Sequence, residues 1–299
     1  VLFSTLAFVN VRGAAPGARL VEAMTIAKLL PLFALIVAGV WYIQPEHLAI
    51  ATLPPVSSVG RTAIVLIFAF VGVEIALVPS GEMTDPSRSV PRALFIALAV
   101  TTTIYLAIQM VAQGVLGADL AAHAAAPLAE AMGRIVGPAG RLLVVVGASV
   151  SMFGYTAGDL LGSPRVLYAL ARDGMLPAAL ARVHPRFHTP HAAIVVYAAI
   201  VTALAISGSF NELAILANIA VLSAYLLSVL ASVELQRRDV RMGGTPFDTP
   251  GGPAIPLLAA AAIVWLLSQA TAREFALEAA VLAAATAIYV VRRRTRRTS

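Results

Sequence analysis

The chain has 299 residues, of which 60% are hydrophobic and only 12% charged, with a mean hydropathy of +0.88. Soluble domains carry about 25% charged residues, so a purely water-soluble fold is excluded. No cysteine is present, which removes disulfides, thiolate metal centres and cysteine nucleophiles. The formal charge of +6 sits on arginines beside apolar runs rather than in a basic domain interleaved with aromatics, which argues against nucleic acid as a partner.

A helix needs about 20 apolar residues to cross about 30 Å of hydrocarbon. Residues 1–9 (VLFSTLAFV) fall short of that and lack the basic stretch and cleavage site of a signal peptide, so the chain reads as starting inside a helix. Beyond this stub the pattern predicts eight spans: about Leu20–Ile43, Thr62–Pro79, Ala93–Leu116, Leu142–Leu167, His191–Ile206, Leu213–Val233, Ala254–Leu267 and Phe275–Val291. Sixteen of the 21 basic residues fall in alternate connections and the RRRTRR tail. The excess of Lys and Arg on the cytoplasmic side of membrane proteins then puts the tail inside and lets every span alternate without conflict.

Two connections carry structure of their own. Leu128, Met132 and Ile135 recur at helical spacing in the external segment 118–136, which predicts a short helix over the outer mouth. The internal segment 172–190 mixes charge with Gly and Pro breakers and predicts a loop with a brief helix.

The second span is interrupted near its middle by Gly72, Val73 and Glu74. Unpaired backbone groups in hydrocarbon cost several kcal/mol each, so a broken helix persists only where it lines a cavity or binds something. A carboxylate at that depth costs roughly 2.5–3.5 kcal/mol, which makes Glu74 a functional candidate, with a satisfied core carboxylate as the alternative.

Lys28, Glu74 and Asp159 are the main ionisable residues within spans. Counted from span ends at 1.5 Å per residue, Lys28 and Asp159 both lie about 12 Å from the inner face and are expected to be able to pair. Ser151, Tyr155 and Asp159 share one helix face, which either borders a water-filled path or makes interhelical hydrogen bonds. Gln109 and Gln113 form a second polar stripe, read as helix packing. Asn218 interrupts the sixth span, with solute contact and a structural hydrogen bond both open. His184, His188 and His191 lie in a proline-containing loop without a fourth ligand or regular scaffold, so no metal site is expected. Gly158 with Asp159 lacks the rest of an intramembrane aspartyl protease pattern, because Thr156 stands where a glycine is needed.

Three motifs resemble the amino acid, polyamine and organocation transporter superfamily, particularly its bacterial amino acid permeases. They are NVRG at 10–13 with the downstream Lys28, then FAFVGVE at 68–74 with GEMTDPSRSVPRA at 81–93, and SPRVLYALARDGMLP at 163–177 with TPHAA at 189–193. The resemblance covers essentially the whole chain. It implies an all-α polytopic membrane protein with a five-plus-five inverted-repeat fold, the stub being the end of family helix four and the eight spans helices five to twelve. Residues 1–299 then form a single transport domain that lacks family helices one to three, with the broken helix at 62–80.

By the same resemblance, Phe68 matches an aromatic that closes over bound solute. Val71, Gly72, Val73, Glu74 and Ile75 match the unwound segment that contacts the solute's amino end, and Tyr155 and Asn218 join them as candidate solute contacts. Lys28 matches the lysine that stands in for a sodium ion in proton-coupled relatives; Ser151 and Asp159 are further coupling candidates from the reading of the residues alone, Asp159 matching no general family role. The expected function is secondary active transport of an amino acid or related amine, proton-coupled and sodium-independent, or else exchange of one solute for another. Alternating access then rocks the part holding Glu74 against the part holding Asp159. The resemblance implies a bacterial plasma membrane, with protons and lipid as partners, no cofactor and no enzymatic activity. A non-transporting scaffold or receptor is the reading from another class.

Overall fold

The computed structural model describes residues 8, 17–49, 52–73, 85–208, 210–238 and 252–297, and every regular element among them is helical. In chain order these are α1 (Gly17–Gly39), α2 (Val56–Leu66), α3 (Pro86–Leu116), α4 (Pro127–Val136), α5 (Pro138–Gly162), α6 (Pro164–Arg172), α7 (His191–Ser207), α8 (Phe210–Arg237), α9 (Ala254–Leu267) and α10 (Ala272–Arg297). Short 3-10 turns follow α1, α2 and α3, and another covers Ala178–Ala181 in the loop where a brief helix was expected.

Four stretches are long and apolar enough to cross a membrane: Ser87–Leu120, Pro138–Arg172, Phe210–Arg237 and Ala272–Val291. Shorter apolar helices at Ile26–Tyr42, Val56–Phe70, His191–Ser207 and Ala254–Leu267 account for the other expected spans. The fourth expected span, to Leu167, lies within the continuous stretch Pro138–Arg172. Pro164 has no N–H to return to the Leu160 carbonyl, so the helical ladder is interrupted between α5 and α6 although Ser163 itself keeps helical angles, φ −60° and ψ −35°.

The chain divides into two compact units, one of Val1–Ala51, Ile104–Ser207 and Thr286–Ser299, the other of Thr52–Thr103 and Gly208–Ala285. In the first unit α1 runs antiparallel to α5. Gly39 lies against Val111 and Ile135, Leu35 shares a buried cluster with Met132 and Val144, and Pro31 packs onto Gly147. Helix α4, expected over the outer mouth, buries Met132 and Ile135 in this cluster, so its apolar face is covered by protein rather than lying in the membrane interface.

A single residue joins α4 to α5. Gly137 has φ +81° and ψ −162°, a region open essentially to glycine alone, and a Cβ there would meet nothing within 4 Å, so conformation rather than space selects it. Its N–H donates to the Gly133 carbonyl at 2.9 Å, and its own carbonyl accepts from the Gly140 and Arg141 N–H groups at 3.0 and 3.2 Å. Across the same corner Glu130 reaches Arg134 at 3.8 Å and Arg141 at 3.5 Å.

At the end of α3 the Gly114 carbonyl accepts from the Gln44 N–H at 3.0 Å and from His47 Nδ1 at 2.9 Å. Gln113 donates to the His47 carbonyl at 3.2 Å, which gives this glutamine the packing role its position suggested. In the second unit α2, α8 and α9 enclose Ile64, Ile215, Ile219, Leu222 and Ile263.

Candidate functional site: the interrupted span

Helix α2 does not end in polar solvent but tightens within an apolar run. After Leu66 the chain forms a 3-10 turn over Ile67–Phe70, Val71 becomes extended at φ −64° and ψ 139°, and Gly72 takes φ +102°. Side-chain-bearing residues rarely adopt that φ, so Gly72 is the residue that permits the break. Val71, Gly72 and Val73 are each partly buried. Glu74 and Ile75 lie outside the described residues.

A long-range hydrogen bond holds the start of this break. Asn218 on α8 is fully buried, and its Nδ2 donates to the Ile64 carbonyl at 2.6 Å, with the Val65 carbonyl at 3.5 Å. Its Oδ1 is buried without a hydrogen-bond partner among the described residues. Leaving an acceptor in that state costs about 1–3 kcal/mol, so the donor half must justify the residue. Phe68 remains 38% exposed and meets the Phe210 ring edge-on at 5.5 Å between centroids.

The N-terminal half of α2 is fastened separately. Arg61 forms two hydrogen bonds with Glu274, at 3.0 and 2.6 Å, and donates to the Gln269 carbonyl at 3.3 Å. Glu274 in turn accepts from the Thr271 N–H at 2.7 Å, while its own N–H reaches Thr271 Oγ1 at 3.3 Å, a capping box at the start of α10. Gly60 sits so close to the Gln269 side chain that a Cβ there would lie 2.5 Å from it.

The remaining candidates belong to the first unit. Lys28 is exposed on α1, three residues before Pro31, whose missing N–H leaves the Ala27 carbonyl without its helical partner. Because Pro31 faces Gly147 and the helices are antiparallel, Lys28 is level with Val150 and Ser151. Asp159, eight residues further along α5, lies about 12 Å from that level along the helix axis at 1.5 Å per residue. The equal depths expected from span ends are therefore not observed, because hydropathy marks where polar residues begin rather than where two helices touch.

Asp159 is occupied elsewhere: it accepts from the Tyr197 hydroxyl at 2.7 Å and the Ser163 hydroxyl at 2.6 Å, and its carbonyl accepts the Ser163 N–H at 2.8 Å. Those bonds tie the α5–α6 junction to α7. Tyr155 is 74% exposed on the same face of α5, and Ser151 is partly buried. His184 Nδ1 faces the N–H groups of Arg186 and Phe187 at 3.2 and 3.3 Å, with the His191 ring edge-on at 5.6 Å, so the loop uses this histidine to organise its own backbone.

Sequence reasoning missed Tyr197, whose signal was a tyrosine inside an otherwise apolar span, and Glu274, whose signal was the Thr-x-x-Glu spacing from Thr271. It had no means of finding the Ile64 carbonyl, since a backbone acceptor has no sequence signature.

Helices long and apolar enough to cross a membrane, with a shorter apolar helix opened at a left-handed glycine, define an α-helical integral membrane protein. The chain belongs to the amino acid permease family, whose model matches residues 1–289. It is 34% identical over 291 residues to an uncharacterized transporter of Mycobacterium tuberculosis, covering 96% of this chain and 64% of the relative. It is 30% identical over 276 residues to the serine/threonine exchanger SteT of Bacillus subtilis, covering 90% of this chain and 62% of that protein. With the branched-chain amino acid permease BcaP of Bacillus subtilis it shares 26% identity over 267 residues, 87% of this chain and 56% of the permease. The chain thus spans less than two thirds of the length of these relatives.

Proposed function

We propose that this chain is the larger part of a secondary active transporter for an amino acid or a related amine, sodium-independent and driven by protons or by exchange of a second solute. The observation that carries the reading is the interruption at Val71 and Gly72 inside an apolar span. A helix interrupted within an apolar span persists where it lines a cavity or binds something, and carbonyls turned away from a helix suit an ammonium group. The printed activities of the relatives, serine/threonine exchange and branched-chain amino acid permeation, support the same solute class and keep exchange beside symport.

In this proposal the fold is the five-plus-five inverted repeat, the described helices supply family helices five to twelve, and the tail is cytoplasmic in a bacterial plasma membrane. Residues 71–75 contact the solute's amino end, Phe68 closes over it, and Glu74 contributes the charge at that depth. Lys28 carries the coupling proton with Ser151 at its level, while Asp159 steadies the α5–α6 junction.

Uptake by the full-length protein in proteoliposomes tests the reading. Labelled amino acid accumulation driven by an inward proton gradient or by internal unlabelled solute, and indifferent to sodium, is expected. Failure to bind or move any of the proteinogenic amino acids and their decarboxylated amines would overturn it in favour of a non-transporting membrane protein.

A further inference from the structure

Where α-helical hydrogen bonding changes over to a 3-10 turn, bonds from residue i to i−4 give way to bonds to i−3, and a carbonyl at the changeover is freed. In α2 that changeover comes between Ile64 and Ile67, and the Ile64 carbonyl receives the Asn218 amide at 2.6 Å. Asn218 sits among Ile215, Ile219 and Leu222, where an apolar side chain would fill the same space. The reversed amide orientation would set Oδ1 against the carbonyl oxygens, so the donor is the half of the side chain this place requires.

We infer that Asn218 is a positioning residue: from α8 it fixes the point at which the broken span leaves α-helical geometry, and it does not itself contact solute. The consequence for transport rests on the reading of that break as the solute site. Gly72 holds the break in place along the sequence, so moving the changeover by one residue converts that residue between 3-10 and α geometry, which turns the extended backbone by about 20° around the helix axis and shifts it by about 0.5 Å. Carbonyls aimed at a ligand would then aim elsewhere.

Amide hydrogen exchange on the full-length protein in nanodiscs, comparing wild type with Asn218→Leu, tests the role without any solute. Exchange over residues 67–73 is expected to rise at least tenfold, with α9 unchanged; equal rates would overturn the inference. In uptake competition across a panel of amino acids, Asn218→Leu is expected to weaken all of them by a common factor. A reordered panel would assign Asn218 to solute contact and overturn it. If the leucine variant does not fold, Asn218→Asp decides: a protonated carboxyl donates as the amide does, so protection of 67–73 relative to wild type should return as pH falls. Wild-type protection in the ionised variant would overturn the role. Lost protection in a protein whose wild type moves no solute would uphold the positioning and remove only the transport reading.

Discussion

Pro31 packs onto Gly147 with no room for a methyl group between them. The proline ring occupies the space a Cβ would take, so α1 and α5 touch backbone to ring at this level. Gly147→Val forces them apart, and overpacking of this kind costs about 1–3 kcal/mol. A lower unfolding temperature in detergent is expected, together with altered exposure of Lys28 to a water-soluble amine reagent. Unchanged stability and labelling would show that the contact has slack.

The same contact separates Lys28 from Asp159 along the helix axes, and their variants should behave differently. Lys28→Met is expected to abolish uptake or flatten its pH dependence. Asp159→Asn still accepts from the Tyr197 hydroxyl, so it should lower stability modestly and leave the pH profile in shape. Initial rates measured from pH 5 to 8 would decide: pH-dependent uptake in Lys28→Met rules out the lysine as coupling group.

At Gly72 a substitution meets a conformational penalty. Alanine at φ +102° costs about 1–3 kcal/mol and favours continuing the helix past the break. Gly72→Ala should therefore reduce solute affinity at least tenfold while the protein still inserts and folds. Equilibrium binding by scintillation proximity measures this, and wild-type affinity would detach the break from solute binding.

Arg61 and Glu274 are bonded to each other, but only Glu274 also caps α10. The pair is partly exposed, with Arg61 at 41%, so by itself it contributes on the order of 1 kcal/mol or less. Losing the cap adds about 0.5–2 kcal/mol. Glu274→Ala is thus expected to destabilise more than Arg61→Ala, by thermal unfolding at low ionic strength, and the excess should persist in 1 M salt. Equal losses would mean that the cap contributes nothing.

Much of the architecture was legible because it follows from period and length. The run Ala254–Leu267 matches α9 at both ends, and the interruption falls at Gly72, the glycine that marked it in the sequence. Residues whose chemistry is conspicuous in hydrocarbon, such as Lys28, Asp159 and Asn218, were legible as candidates. Their partners were not. Asp159 bonds to Tyr197 on another helix, and Asn218 to a backbone carbonyl 154 positions away, and neither distance is encoded in local pattern. Depth failed for a related reason, since it depends on where Pro31 meets Gly147 rather than on where apolar residues stop.

Gly137 leaves α4 and α5 only one residue apart, and hydrogen bonds and the Glu130 carboxylate brace that corner from both sides. A joint so short and so fully bonded has almost no freedom to flex. Helix α4 is therefore the handle of a bent lever whose long arm carries Ser151, Tyr155 and Asp159, and a tilt of that arm would swing the handle with it.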